Sequence, residues 1–176
     1  MKDFSQQNED DWEVDLPLLH GGVAGVAHTF FGAPDGVRAV VVYEDVQLPP
    51  GCGRFAVLEA NTSTQIKLNP RRVICTHDMH TVCWLNEVLF AIRVCILEAS
   101  NSVVRSPVLL IDLGQQVFSS VDPGTNGETW ASLLNGQLRI HSWEQDHSQA
   151  IRSISVDSLA WRPLSDLDGS SLVSKY

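Results

Sequence analysis

Residues 133–142 carry the sequence LLNGQLRIHS, and this stretch decides the fold class. The pair Asn135-Gly136 stands between two apolar stretches and is the pair that a tight type I′ β-turn prefers, because both central residues of that turn need a positive φ. After the turn, side chains alternate in polarity with the period of two that is typical of a strand. The alternating sets are Leu138, Ile140 and Ser142 against Arg139, His141 and Trp143. The stretch therefore predicts a β-hairpin. The alternative is a helix over 128–134 that Gly136 would cap.

Outward from this hairpin, the chain continues as short runs that are rich in β-branched and aromatic residues and are separated by turn residues. The predicted strands lie within Val37–Val46, Arg54–Ala60, Thr64–Leu68, Pro107–Leu113 and Ile151–Leu159. The segment Val82–Ala99 is open to two interpretations: a helix with one polar face, or two strands that turn at Asn86-Glu87, which its Val, Ile, Cys and Phe content favours. We expect an all-β or mainly β fold, an antiparallel sandwich or jelly roll with at most one or two short helices.

The 176 residues fit one domain with tails. We expect an acidic, flexible tail over residues 1–16, a single β-rich domain over 17–164, and a Ser/Asp-rich C-terminal tail over 165–176. The first tail holds six acidic residues and one lysine, which give −5 of the net charge of −9. Within it, Asp10, Asp11 and Trp12 form a candidate protein-binding peptide for a basic partner, with Trp12 as the anchor.

Charge and composition exclude several partner classes. A net charge of −9 with a single Arg-Arg pair is unfavourable for binding nucleic acid, which needs clustered basic residues. No apolar run approaches the ~18 residues of a membrane span, so we expect no membrane partner. The polar N-terminus does not resemble a secretory signal, and an intracellular chain in the cytoplasm or nucleus keeps its four cysteines reduced. A homo-oligomer remains open.

The densest group of metal-ligating residue types comprises Cys75, His77, His80 and Cys83. Thiolate sulfur and imidazole nitrogen bind zinc, and a structural site needs four ligands. On a single strand, His80 would face away from the other three, so one strand cannot supply all four. A metal-binding protein or enzyme built on these residues is the alternative function. Otherwise, the histidines lie in an exposed loop beside two cysteines that pack as small apolar residues.

No complete catalytic motif is present. The chain lacks a Gly-x-Ser-x-Gly elbow, and the glycine-rich stretch 21–25 lacks the Gly-Lys-Ser/Thr ending of a phosphate loop. The sequence therefore predicts a non-enzymatic protein-interaction or regulatory domain that needs no cofactor.

Two segments carry a family resemblance. Residues 34–42 (PDGVRAVVV) and 47–55 (QLPPGCGRF) resemble the turn–strand–turn–strand pattern of the trimeric deoxyuridine triphosphatase (dUTPase) family, and 72–75 (RVIC) lies where that family has Gly-Val-Ile-Asp. The resemblance covers residues 23–113 and implies a jelly-roll-like β fold. Two departures imply a lost pyrophosphatase site: residues 57–60 (VLEA) replace the family's phosphate-holding Pro-Arg-Ser-Gly, and Cys75 replaces its catalytic Asp. Inactive folds of this type serve as protein-binding regulators, notably in large DNA viruses.

Overall fold

The computed structural model describes residues 28–60, 64–70, 73–76, 82–97, 103–125, 127–143 and 149–168. These residues form fifteen β-strands and two short 3-10 helices, at Val156–Ser158 and Leu164–Asp168. The strands are β1 His28–Gly32, β2 Arg38–Glu44, β3 Cys52–Ala60, β4 Thr64–Leu68, β5 Cys75–Thr76, β6 Val82–Trp84, β7 Leu89–Arg93, β8 Ile96–Leu97, β9 Val103–Arg105, β10 Val108–Asp112, β11 Val117–Val121, β12 Thr129–Leu134, β13 Gln137–Ser142, β14 Arg152–Ser155 and β15 Arg162–Pro163. The predicted all-β class is confirmed.

The strands pair antiparallel in three main sheets. Sheet I has the order β1-β2-β3-β4, and β5 pairs with the first residues of β3. Sheet II has the order β15-β11-β10-β7-β6, and sheet III has the order β12-β13-β14. The short strands β8 and β9 form a separate two-stranded sheet between β7 and β10 along the chain.

Sheet II is the middle layer of the fold. One face packs against sheet I in a central core that includes Phe55, Phe90, Leu109 and Ile111. The other face packs against sheet III, where Leu110 meets Leu138 and Ile140 of β13. Because β10 is buried on both faces, its sequence VLLID is almost continuously apolar and does not alternate.

Sheet I has a second buried face, opposite the central core. We call its apolar side chains the outer cluster of sheet I. Its members are Phe30, Ala39, Val41, Tyr43, Ala56 and Leu58. Four of them, Ala39, Val41, Ala56 and Leu58, are 0% exposed. Strand β2 is thus also apolar on both faces, which explains its run AVVVY.

The structure decides the local alternatives. The segment 82–97 forms strands β6, β7 and β8 with a turn at 85–88, so the helix alternative is wrong. Asn135 and Gly136 have φ values of 50° and 73° and join β12 to β13, which confirms the hairpin and excludes the capped helix. The predicted strand over 151–159 ends at Ser155 and continues as the first 3-10 helix.

At the C-terminus, Leu167 is buried in the central core, so residues 165–168 of the predicted tail belong to the packed fold.

Candidate functional site

An aromatic cluster lies on the face of sheet III that points away from sheet II. The two-residue turn at Asn135-Gly136 sets the register of the hairpin and places Trp130 directly opposite His141. Leu138 and Ile140 point toward sheet II, so their neighbour His141 points to the other face. We call this surface the outer face of sheet III.

The rings of the cluster are in close contact. The indole of Trp130 and the imidazole of His141 are stacked in parallel, with centroids 3.9 Å apart and an interplanar angle of 8°. Trp143 is a further neighbour of Trp130, with its ring centroid 6.1 Å away and its plane tilted by 47°. His141 is 3% exposed, whereas Trp143 is 38% exposed. The imidazole of His141 is therefore shielded from solvent, whereas the indole of Trp143 is partly accessible to it.

Three polar atoms on this hairpin are buried without a hydrogen-bond partner: Thr129 Oγ1, Trp130 Nε1 and His141 Nδ1. They are the buried side-chain nitrogens and oxygens of the described residues for which no partner is found. The second imidazole nitrogen, His141 Nε2, lies 3.1 Å from Ser132 Oγ. A buried donor or acceptor without a partner costs about 1–3 kcal/mol of folding free energy. Polar atoms of this kind, concentrated on one hairpin, therefore make the hairpin less stable than full hydrogen bonding would.

Burial lowers the pKa of His141 below its ordinary value. The positive charge of Arg139 acts in the same direction, and the backbone of Gln149 acts against it. The ring is therefore neutral near pH 7. A neutral imidazole can stack on the indole of Trp130 without bringing an unpaired charge into the buried centre of the cluster.

A small recess lies beneath β12, between sheets III and II. Its lining residues are Cys83, Ala91, Arg93, Val108, Thr129, Trp130 and Ala131. The cavity volume is about 10 Å³, close to what one water molecule needs and far below the volume of a substrate pocket. Arg93 crosses toward β12 and donates a hydrogen bond to the carbonyl of Gly127. The recess is thus too small to hold a metabolite. The Arg93 hydrogen bond beside it links the hairpin to sheet II.

The predicted metal ligands are separated as far as the structure describes them. Cys75 lies in β5 and is buried in the central core with Val82. Cys83 is paired with Ala91 and lines the recess on the opposite face of sheet II. Burial raises the pKa of the Cys83 thiol, although the Ala131 backbone opposes the shift, so the thiol is protonated rather than the thiolate that zinc binds.

His77 and His80 lie outside the described residues. Within the described ranges, no three His, Cys, Asp or Glu side chains come together in a way that could hold a metal ion. A zinc site that includes these two histidines stays a prediction. Asp10, Asp11 and Trp12 also lie outside the described residues, so the acidic docking peptide stays a prediction as well.

The residues that align with the dUTPase site are either buried or held in ion pairs. Cys75, in place of the catalytic Asp, is 0% exposed. Val57 and Leu58 are fully buried on opposite faces of sheet I. Glu59 forms ion pairs with Arg38 (3.4 Å) and Lys67 (3.6 Å). Cys75, Val57 and Leu58 are therefore shielded from solvent, and Glu59 is held between two basic side chains.

The aromatic cluster was missed at the sequence level, although its signal was present. A type I′ turn at Asn135-Gly136 pairs Leu134 with Gln137, and counting four residues outward on each strand pairs Trp130 with His141. The alternation after the turn likewise puts Arg139, His141 and Trp143 on one face. The register does not predict the burial of His141, because the stacking of its ring on Trp130 depends on side-chain packing.

Comparisons of this chain with protein-family models, curated proteins and solved structures found no match. Among the described residues, no helix is both long and apolar enough to cross a membrane.

Proposed function

We propose that this chain is a non-enzymatic protein-interaction domain that binds its partner with the outer face of sheet III. The observation that carries the proposal is the stack of Trp130 on His141 beside the partly exposed Trp143. Tryptophan is enriched among the residues that dominate binding energy at protein interfaces, because its ring joins a large apolar body to one hydrogen-bond donor.

The partner that fits this face is an extended segment of a protein. Trp143 lies at one end of the face, and Leu134, 51% exposed, lies at the other end of β12. Trp143 is opposite Glu128, six residues before Leu134, so the two ends of the face are roughly 20 Å apart at the usual rise of a strand. Between them, Arg139 supplies a positive charge. The segment would place apolar side chains on Trp143 and Leu134 and a carboxylate or carbonyl near Arg139.

The unpartnered indole nitrogen supports a binding role. Trp130 Nε1 is a hydrogen-bond donor that is buried without a partner. A binding partner that shifts the stack and brings an acceptor to this nitrogen removes a cost of about 1–3 kcal/mol. Binding should therefore change the fluorescence of Trp130.

The test is selection of a displayed random peptide library on the full chain, followed by affinity measurement on two variants. Trp143→Ala should weaken the selected peptides at least ~10-fold, which corresponds to about 1.4 kcal/mol. Ile66→Ala is the matched control, because Ile66 is 46% exposed but lies on sheet I. It should change affinity by less than about 2-fold, as surface substitutions outside an interface do. Equal binding by Trp143→Ala and the unaltered chain would contradict the proposal.

The proposal includes the absence of dUTPase activity. The resemblance to that family makes the domain similar to the inactive, protein-binding type found in large DNA viruses, and the burial of Cys75 and the ion pairs of Glu59 support this. Pyrophosphate release from deoxyuridine triphosphate with Mg²⁺ should stay at background. Release that Cys75→Ala abolishes would overturn this part of the proposal.

An intracellular setting, in the cytoplasm or nucleus, is also part of the proposal. All four cysteines lie in the described part of the chain, and none forms a disulfide. Unbridged cysteines are usual in a reducing compartment.

A further inference from the structure

The outer cluster of sheet I is buried, although only one layer of it is described. Its described members all belong to β1, β2 and β3 of sheet I itself, and the partly buried Ala60 beside them also belongs to β3. The two other apolar clusters of the protein each combine residues from two facing sheets. A single sheet leaves its outward side chains accessible to water, so exposures of 0% for Val41 and Leu58 require a second layer.

The length and position of the undescribed segments single out one of them as that layer. The internal segments contain between one and five residues, and both of their ends are held by described neighbours. Residues 169–176 follow Leu167, which packs in the central core on the other face of sheet I. Residues 1–27 are the longest segment, and they end at His28, the first residue of the edge strand β1.

The sequence just before β1 has the composition of a covering layer. After Asp15, residues 16–27 (LPLLHGGVAGVA) contain no Asp, Glu, Lys or Arg. Their apolar residues are Leu16, Leu18, Leu19, Val23, Ala24, Val26 and Ala27. The acidic residues of the N-terminal segment all precede this stretch, so charge and apolar surface are separated along the chain.

The shape of the outer cluster suits large aliphatic side chains. In the register of β2 with β3, Ala39 is paired with Leu58, and Val41 is paired with Ala56. In each pair the alanine, Ala39 or Ala56, has a smaller side chain than the residue opposite it. Leucine side chains such as Leu18 and Leu19 can fill the space beside an alanine when an apolar layer packs on a sheet.

We propose that residues 16–27 pack on the outer cluster of sheet I and form a fourth layer, which keeps this apolar face from water and from other proteins. The inference does not depend on the proposed function, because it concerns the opposite side of the molecule from sheet III. The occupant is a segment of the same chain rather than a second copy.

The direct test uses the full chain with ¹³C-labelled Leu and Val methyl groups. Nuclear Overhauser contacts should join the methyls of Leu18 or Leu19 to those of Val41 and Leu58. A sample mixed from differently labelled chains should show no such contacts between chains, and light scattering should report a monomer. Contacts between the two copies, or contacts of Val41 and Leu58 with Leu172 or Val173, would overturn the proposal.

Variants provide a second measurement. Leu18→Asp combined with Leu19→Asp should abolish the methyl contacts and raise the binding of a dye that reports exposed apolar surface. Leu172→Asp is the matched control in the other terminal segment and should leave both unchanged. If the double variant binds no more dye than the unaltered chain and keeps the native methyl shifts of Val41 and Leu58, residues 16–27 are not the covering layer. These readouts are separate from peptide binding at Trp143, so either proposal can fail alone.

Discussion

The outer faces of sheet I and sheet III are both formed by antiparallel strands, yet they present opposite chemistry. On sheet I, Val41 and Leu58 are 0% exposed and lie in an aliphatic cluster. On sheet III, Trp143 and Leu134 are partly exposed beside the stack of Trp130 on the buried His141. The sequences differ accordingly: β2 is apolar at every position from Ala39 to Tyr43, whereas β13 alternates. Loss of alternation accompanies a strand that is covered on both faces, whereas the alternating strand β13 borders a face on which Trp143 and Leu134 stay partly exposed.

The largest effect should come from truncating the covered face. Leu58→Ala should destabilise the protein by about 2–5 kcal/mol, because it leaves a cavity in a fully buried cluster. Leu134→Ala, on the outer face of sheet III, should change the free energy of unfolding by no more than about 0.5 kcal/mol. Urea unfolding of both variants tests the contrast. Equal losses would mean that the two faces do not differ in burial.

The second largest effect should come from the turn that sets the register of the β12–β13 hairpin. Gly136 has a φ of 73°, and a Cβ added there would meet no atom within 4 Å. Gly136→Val should therefore cost about 1–3 kcal/mol through backbone strain alone. Asn135→Ala should cost less, since Ala adopts a positive φ more readily than Val. Chemical denaturation gives both values, and a valine variant as stable as the unaltered chain would speak against the type I′ turn.

A smaller loss is expected at the ring stack. Ser132→Ala removes the hydroxyl that lies 3.1 Å from His141 Nε2 and so takes away the hydrogen-bond partner of this nitrogen. We expect a cost of about 1 kcal/mol. Ser153→Ala, an exposed position on β14 of the same sheet, is the control and should stay within about 0.5 kcal/mol. The prediction fails if the two serine variants are indistinguishable in thermal or urea unfolding.

The smallest effect should be the pH dependence that His141 contributes. Its pKa in the folded protein is lowered, so between that pKa and the unfolded value of about 6.5 the unfolded chain binds more protons. Stability from the neutral ring is therefore complete above about pH 6.5 and is lost as the pH falls below it. The difference in unfolding free energy between the unaltered chain and His141→Gln, measured from pH 7.5 to pH 5, isolates this term. A difference that stays constant or grows toward low pH would refute it.

Several local features follow from particular residues. Asn135-Gly136 predicts its hairpin because Asn followed by Gly is one of the few pairs that adopt two consecutive positive φ values at small cost. The β-branched run in β2 and the apolar run in β10 predict strands, because such side chains pack well on a pleated sheet. Segment 82–97, which contains β7, is ambiguous in the sequence, because its polar residues match one face of a helix as well as a turn between strands. Pairing of β7 with β10 and β6 settles it, and that pairing is a long-range contact.

The sequence by itself determined the all-β class, the turn at Asn135-Gly136 and the face shared by Arg139, His141 and Trp143, because φ preferences and side-chain alternation act between near neighbours. Only the tertiary structure decided that sheet II is the middle layer, that Cys75 and Cys83 lie on different sides of it, and that His141 is buried under the indole of Trp130. Those features depend on which sheets face each other. An apolar side chain gains nearly the same free energy against any close-packed apolar neighbour, so the pattern along the chain does not name that neighbour.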